Sequence, residues 1–238
     1  MRVEEETRET RGLVFQHPAE YANLLLEQEE LVNKRAYSKR SLDVMEQIIE
    51  CNPSNYTAWV RRREIIEELV RSGEYALEEE LRWVKLQATE NQKNYQVWHH
   101  LRHVVKLMKH DILGDGEILG LAGEEPKNTH FWGFFIESVL SHCEIKKAFE
   151  FTGEMIEEDV RNNSAYSARH TLLSYLVESV PGVLEEERRF LAKHAVLARN
   201  QAFWNYARAL DRAHPELQVV QECEKRIKER EIPKYYED

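Results

Sequence analysis

Four of the five tryptophans close the same short string, and that constrains the fold more than any other feature of the chain. Asn55-Tyr56-Thr57-Ala58-Trp59, Asn94-Tyr95-Gln96-Val97-Trp98, Asn128-Thr129-His130-Phe131-Trp132 and Asn200-Gln201-Ala202-Phe203-Trp204 share an asparagine four residues before the indole. Asn162-Asn163-Ser164-Ala165-Tyr166 is a fifth copy with tyrosine in the last place. The aromatic positions 59, 98, 132, 166 and 204 are 39, 34, 34 and 38 residues apart by subtraction. Self-similarity on that scale is the mark of stacked helical hairpins, in which each unit buries its apolar face only against its neighbours.

Within each unit the apolar residues keep a helical period. Leu42, Met45 and Ile49 fall at i, i+3 and i+7 before the break Cys51-Asn52-Pro53-Ser54, and Trp59, Ile65, Ile66 and Leu69 follow it. Leu81 and Val84 precede the second string, and Trp98, Leu101, Val105 and Met108 follow. Met155 and Ile156 precede the fourth, with Ala165, Ala168, Leu172 and Leu176 after it. No stretch alternates as a strand does. The asparagine suits a helix N-cap, which puts the aromatic one turn inside the second helix of each hairpin, facing the hairpin before. Four of the nine glycines (Gly114, Gly116, Gly120, Gly123) crowd the first half of the third unit, so its leading helix is expected to be short or distorted. The expected fold is all-α, a crescent-shaped right-handed superhelix. It forms one domain over 1–238, with residues 1–15 disordered, an entry helix over Ala19 to Asn33, repeats over about 36–210 and a capping helix over about 215–231.

Composition removes several classes of function. Net charge is −10, so the basic footprint of a nucleic-acid binder is missing. No apolar run approaches the roughly 20 residues of a membrane span. Cys51, Cys143 and Cys223 are widely spaced, which fits neither a disulfide framework nor a structural zinc site and agrees with a reducing, cytoplasmic setting.

The pattern Asn-Tyr-x-x-Trp-x-x-Arg, repeated about five times at this period, resembles the prenyltransferase α-subunit repeat. Asn52-Pro53-Ser54-Asn55-Tyr56-Thr57-Ala58-Trp59 with Arg61-Arg62 resembles the family's first repeat. Lys93-Asn94-Tyr95-Gln96-Val97-Trp98-His99-His100 is similar to its second nearly residue for residue, and Glu158-Asp159-Val160-Arg161-Asn162-Asn163-Ser164-Ala165 to its fourth. The second and fourth strings favour the farnesyltransferase/geranylgeranyltransferase type I branch over the Rab-directed enzyme.

The resemblance implies half of an enzyme. A β subunit would complete a heterodimer that transfers a farnesyl or geranylgeranyl group from its diphosphate to the cysteine of a C-terminal CaaX sequence. Zinc would be ligated by the β subunit, magnesium would be a possible second ion of the heterodimer, and this chain would hold no cofactor. By resemblance Lys93 and Tyr95 approach the diphosphate, joined by His130 from the third repeat, with Asn128 beside it. Gln96 binds the carboxylate of the substrate peptide, and Tyr56 lines the pocket for the last CaaX residue. A lysine so placed stabilises the charge that accumulates on the leaving group, and losing one such donor costs on the order of 10²-fold in rate. Leu101 interrupts the family's His-His-Arg-Arg, Tyr166 replaces a tryptophan, and Thr129 and Gly133-Phe134-Phe135 mark drift in the third repeat. Read from spacing alone, the same chain also fits a peptide-binding scaffold of tetratricopeptide type. The Rab-directed α subunit shares the repeat as well.

Overall fold

The computed structural model describes residues 19–195 and 200–229, and among these every regular element is helical. Residues 1–15, expected to be disordered, and the end of the expected capping helix at 230–231 lie outside the described residues. The chain divides into two compact units between Glu74 and Tyr75.

The first unit holds α1 (Ala19–Asn33), α2 (Lys39–Cys51) and α3 (Tyr56–Ser72). Helices α2 and α3 form a hairpin over a core of Leu42, Met45, Ile48, Ile49, Trp59, Ile65, Ile66 and Leu69, all buried. Ser38 caps α2 by accepting from the Ser41 N–H. Gly73, at φ 77°, ends α3 in the left-handed region that a glycine enters without steric cost.

The second unit runs from α4 (Leu77–Glu90) and α5 (Tyr95–Met108) through α6 (Gly116–Glu124) and α7 (Thr129–His142) to α8 (Ile145–Glu158) and α9 (Asn163–Leu176). It ends with α10 (Val183–His194), α11 (Gln201–Ala213) and α12 (Val219–Glu229). Helices α5, α7, α9 and α11 pack side by side, each against the next, and α4 and α8 pair closely with α5 and α9. The glycine-rich helix α6 has nine residues and follows a single 3-10 turn at Ile112–Gly114, as its composition predicts. The C-terminal helix starts later than expected. A 3-10 turn at Pro215–Leu217 and a left-handed Gln218 at φ 49° delay it to Val219, where Asp211 of α11 accepts from the Val219 and Val220 N–H groups.

The recurring string does more than cap and pack. Every string asparagine is an N-cap: its Oδ1 accepts from Ala58 (3.1 Å), Gln96 (2.9 Å), His130 (2.9 Å), Ala165 (3.0 Å) or Phe203 (2.9 Å) in its own helix. The indole N–H of Trp59, Trp98 and Trp132 donates to the carbonyl six residues earlier, on Pro53, Gln92 and Pro126, at 2.7–2.8 Å. In the second unit the amide Nδ2 of the next repeat's asparagine reaches back to the same carbonyl. Asn128 donates to the Gln92 oxygen and Asn162 to the Pro126 oxygen, each at 2.8 Å, and Asn200 donates to the Val160 oxygen at 3.0 Å. The Gln92 and Pro126 carbonyls therefore satisfy both lone pairs, one within the repeat and one between repeats, while among the described residues the Val160 carbonyl, with Tyr166 in place of a tryptophan, takes only the bond between repeats. In the first unit Asn55 donates instead to the Tyr21 hydroxyl of α1 at 3.0 Å, so the entry helix supplies the acceptor that a preceding turn would.

Charged pairs complete the core. Arg62 is buried and donates to the Leu42 carbonyl (3.3 Å) and to Glu46 (3.4 Å). Arg169, equally placed after Tyr166, bonds Glu187 through Nε and Nη2, the Phe149 carbonyl at 2.8 Å, and Thr152 at 3.2 Å. Its guanidinium lies between the rings of Phe149 and Phe190, 3.8 and 4.2 Å from the centroids. Where Leu101 takes the arginine position, the neighbouring His100 substitutes, 2.5 Å from Glu80 with both side chains fully buried. The Tyr75 hydroxyl donates to the other oxygen of Glu80 at 2.9 Å. Leu101 thus moves the polar contact by one residue and leaves the hairpin intact. Among the described residues no helix is long and apolar enough to cross a membrane.

Candidate functional site

The capping asparagines fix where the free side chains go. Asn94 and Asn128 begin α5 and α7, adjacent helices that each run 14 residues. Backbone N–H groups left over at such starts, and the helix dipole, favour an anion there. Lys93 precedes the first cap, Tyr95 and Gln96 follow it, and His130 stands at the position of Gln96 one repeat on.

The structure brings most of the expected residues together in the second unit. The Tyr95 ring is 55% exposed and lies edge-on to His130, centroids 6.2 Å apart. It stacks on His99, one turn along α5, with 5.9 Å between centroids and 16° between planes. Gln96 is half-buried, and its Oε1 is a buried atom with no hydrogen-bond partner among the described residues. A buried amide oxygen left so carries a free-energy cost that a donor can relieve. Asn128 is nine-tenths buried, and both ends of its amide are engaged: Oδ1 takes the His130 and Phe131 N–H groups, and Nδ2 serves Gln92. Its contribution is to hold the start of α7, and so the backbone of His130, in place.

Lys93 stands at the surface of this chain. Its side chain is 83% exposed, and its Nζ sits 3.4 Å from Glu125 in the turn before α7. Tyr56, the first residue of α3, belongs to the first unit and is 61% exposed. Sequence reasoning missed Glu125, the stacking of His99 under Tyr95, and the ion pair of Lys127 with Asp159 at 2.9 Å. The recurrence of Lys-Asn at 93–94 and 127–128 was the available signal for that second lysine. Hydrogen bonding from Lys127 is the largest influence on Asp159 and, with the Arg161 N–H, holds its carboxyl below the ordinary range. The site combines an exposed ammonium, a phenol, an imidazole and a partly dry amide around two helix starts, a set suited to a phosphate or carboxylate ligand.

A family profile described as "Protein prenyltransferase alpha subunit repeat" matches residues 38–69, 77–108 and 145–176. Three hairpins of this chain match the prenyltransferase α-subunit repeat. Each matched segment is one hairpin, α2–α3, α4–α5 and α8–α9, and the unmatched stretch between them contains the drifted third repeat. The protein farnesyltransferase/geranylgeranyltransferase type-1 subunit alpha of Schizosaccharomyces pombe is 37% identical over 79 residues, 33% of this chain and 26% of that protein. The subunit of the same description from Candida albicans is 33% identical over 75 residues, covering 32% and 24%. The geranylgeranyl transferase type-2 subunit alpha of Saccharomyces cerevisiae is 25% identical over 161 residues, covering 61% and 48%. The alignments thus span about a quarter of the length of the two type-1 relatives and about half of the type-2 relative. Among solved structures, Candida albicans protein geranylgeranyltransferase-I complexed with GGPP superposes with a TM-score of 0.72 at 25% identity, over 89% of this chain and 73% of that one.

Proposed function

We propose that this prenyltransferase α-repeat protein is the α subunit of a farnesyltransferase/geranylgeranyltransferase type-1 enzyme. It acts in the cytoplasm with a β subunit, to join a farnesyl or geranylgeranyl group to the cysteine of CaaX proteins. The observation that carries the reading is the start of α5, where Lys93, Tyr95 and Gln96 surround a helix N-terminus beside His130 of the next repeat. Lys93 and the Tyr95 hydroxyl contact the isoprenoid diphosphate, with His130 as a further donor and Asn128 holding it. As the carbon–oxygen bond breaks, charge gathers on the diphosphate, and prepositioned donors stabilise that state more than the ground state. Gln96 takes the carboxylate of the CaaX peptide through its amide N–H. Tyr56 contacts the last residue of the peptide.

Catalytic zinc belongs to the β subunit in this reading, and magnesium, where used, to the assembled heterodimer. Among the described residues no group of three His, Cys, Asp or Glu side chains is arranged to hold a metal.

The test is co-expression with candidate β subunits, followed by transfer of tritiated farnesyl or geranylgeranyl diphosphate to a CaaX peptide. Transfer by the heterodimer and none by either chain alone supports the reading. A chain that purifies alone as a stable monomer and captures no β subunit refutes it in favour of a scaffold. The long alignment to a type-2 subunit favours one alternative. Modification of an intact Rab protein with its escort, and none of CaaX peptides, would move the chain to that branch.

A further inference from the structure

The turns of the second unit carry a second periodic contact, outside the Asn–Trp lattice. The lysine just before the capping asparagine of α5, and likewise of α7, faces an acid three residues before the next capping asparagine. Lys93 precedes Asn94 and meets Glu125, three before Asn128; Lys127 precedes Asn128 and meets Asp159, three before Asn162. The two pairs occupy equivalent places and differ in tightness. Lys127 reaches Asp159 at 2.9 Å with its side chain 58% exposed, whereas Lys93 lies 3.4 Å from Glu125 and is 83% exposed. The first is a closed staple between turns. The second holds its lysine loosely at the one turn where the proposed function needs a mobile cation.

We infer that Glu125 is a competing anion for Lys93: it parks the ammonium when no substrate is bound and sets the apparent affinity for the isoprenoid diphosphate. This rests on the proposed function and adds to it a regulator of the same site. A lysine on its four-carbon stem cannot serve two anions at full strength, so a diphosphate must draw Nζ away from the Glu125 carboxylate. Exposed ion pairs contribute little, and the competition is correspondingly modest. Glu125 is therefore a positioning residue that acts through Lys93, and it favours release of the inorganic diphosphate product by recapturing the cation.

The geometry makes an unusual demand on a variant. Glu125→Gln, which keeps shape and removes charge, should tighten binding of farnesyl or geranylgeranyl diphosphate to the heterodimer by about two- to fivefold. A residue that only braces the fold would weaken binding when replaced. Asp159→Asn breaks the equivalent staple one repeat on and should leave diphosphate affinity unchanged. Direct repulsion between Glu125 and the diphosphate is separated by the double variant: the gain from Glu125→Gln should vanish in a Lys93→Ala background.

The experiment is fluorescence titration of the purified heterodimer with each isoprenoid diphosphate, at low and high salt, for wild type, Glu125→Gln, Asp159→Asn, Lys93→Ala and the Lys93/Glu125 double variant. Tighter binding by Glu125→Gln alone, fading at high salt and absent without Lys93, supports the inference. Unchanged or weaker binding by Glu125→Gln in an otherwise active enzyme overturns it, and so does a gain that persists without Lys93. A wild-type heterodimer that binds neither diphosphate removes the proposed function as well, which tells the two failures apart.

Discussion

Asn162 offers the cleanest measure of what holds one repeat to the next. Its side chain is fully buried and makes two bonds in opposite directions: Oδ1 accepts from the Ala165 N–H at 3.0 Å, and Nδ2 donates to the Pro126 carbonyl at 2.8 Å. Asn162→Ala removes both. Loss of an N-cap costs about 1 kcal/mol. Loss of the cross-repeat bond costs about 1 kcal/mol more, near the low end for a buried group, because the Pro126 carbonyl keeps the Trp132 indole as a donor at 2.8 Å. The sum is about 2 kcal/mol, roughly a 30-fold fall in the folded-to-unfolded ratio. Asn162→Ser separates the terms, since a serine hydroxyl caps but does not span the gap to the neighbouring turn. Serine should therefore recover about half of the alanine loss.

Urea unfolding followed by tryptophan emission reads both variants, and an unchanged m-value shows that the compactness of the end states is the same. The order wild type, serine, alanine is the expected result. Two outcomes refute the reasoning. A serine variant as stable as wild type means that the bond between repeats contributes nothing and apolar packing alone joins them. A serine variant no better than alanine means that the cap is worthless at this start.

Two neighbouring tyrosines should respond oppositely to loss of a hydroxyl. The buried Tyr166 hydroxyl has no partner among the described residues, so Tyr166→Phe should leave stability unchanged or raise it by up to about 1 kcal/mol, whereas Tyr206→Phe, which loses the 2.8 Å bond to Glu187, should lose about 1.5–3 kcal/mol in the same assay. Glu187→Ala strands the buried Arg169 guanidinium and should cost about 3–5 kcal/mol, read as a fall in thermal midpoint or as loss of soluble protein. Asp115 tests pH dependence: burial would push its carboxyl up, but hydrogen bonds from His110, the Ile118 N–H and Lys85 outweigh that and hold it low. A depressed folded value means the unfolded chain binds more protons, so this contribution is complete above about pH 4 and is lost as pH falls further. Asp115→Asn should therefore be about 1–2 kcal/mol less stable than wild type at pH 7, with the gap closing towards pH 2.

Much of this was legible in the sequence because the repeat is held by short, local, directional contacts. An asparagine that must cap a helix, and an indole one turn later, leave a spacing that survives in the chain as text. The glycines that shorten α6 are equally local, and that helix is as brief as they imply. What could not be read is long-range. Nothing in the string around Leu101 announces that His100 will take over the pairing with Glu80, because the partner lies on the preceding helix, 20 residues away. Glu187 reaches Arg169 across 18 residues, and its role shows only when three helices meet. Glu125 escaped for the same reason. A lysine in a turn reads as solvated until the neighbouring turn is placed beside it.

The lattice also explains why fold and function separate so cleanly along each string. The asparagine amide is consumed at both ends and the indole N–H is spent on a turn carbonyl, so neither can serve a ligand without loosening the stack. The lattice leaves the side chains at three positions of each string outside its own bonds: the residue before the cap and the two after it. In the second repeat these are Lys93, Tyr95 and Gln96; in the third, Lys127, Thr129 and His130; in the fourth, Arg161, Asn163 and Ser164. The consumed positions recur because each repeat needs them, and they identify the family. The free positions differ from repeat to repeat because no packing contact demands otherwise. A likeness carried by asparagine and tryptophan therefore speaks for the architecture. One carried by Lys93, Tyr95 and Gln96 speaks for an anion held at the start of α5, and substitution at those three should alter ligand binding while leaving the unfolding midpoint nearly where it was.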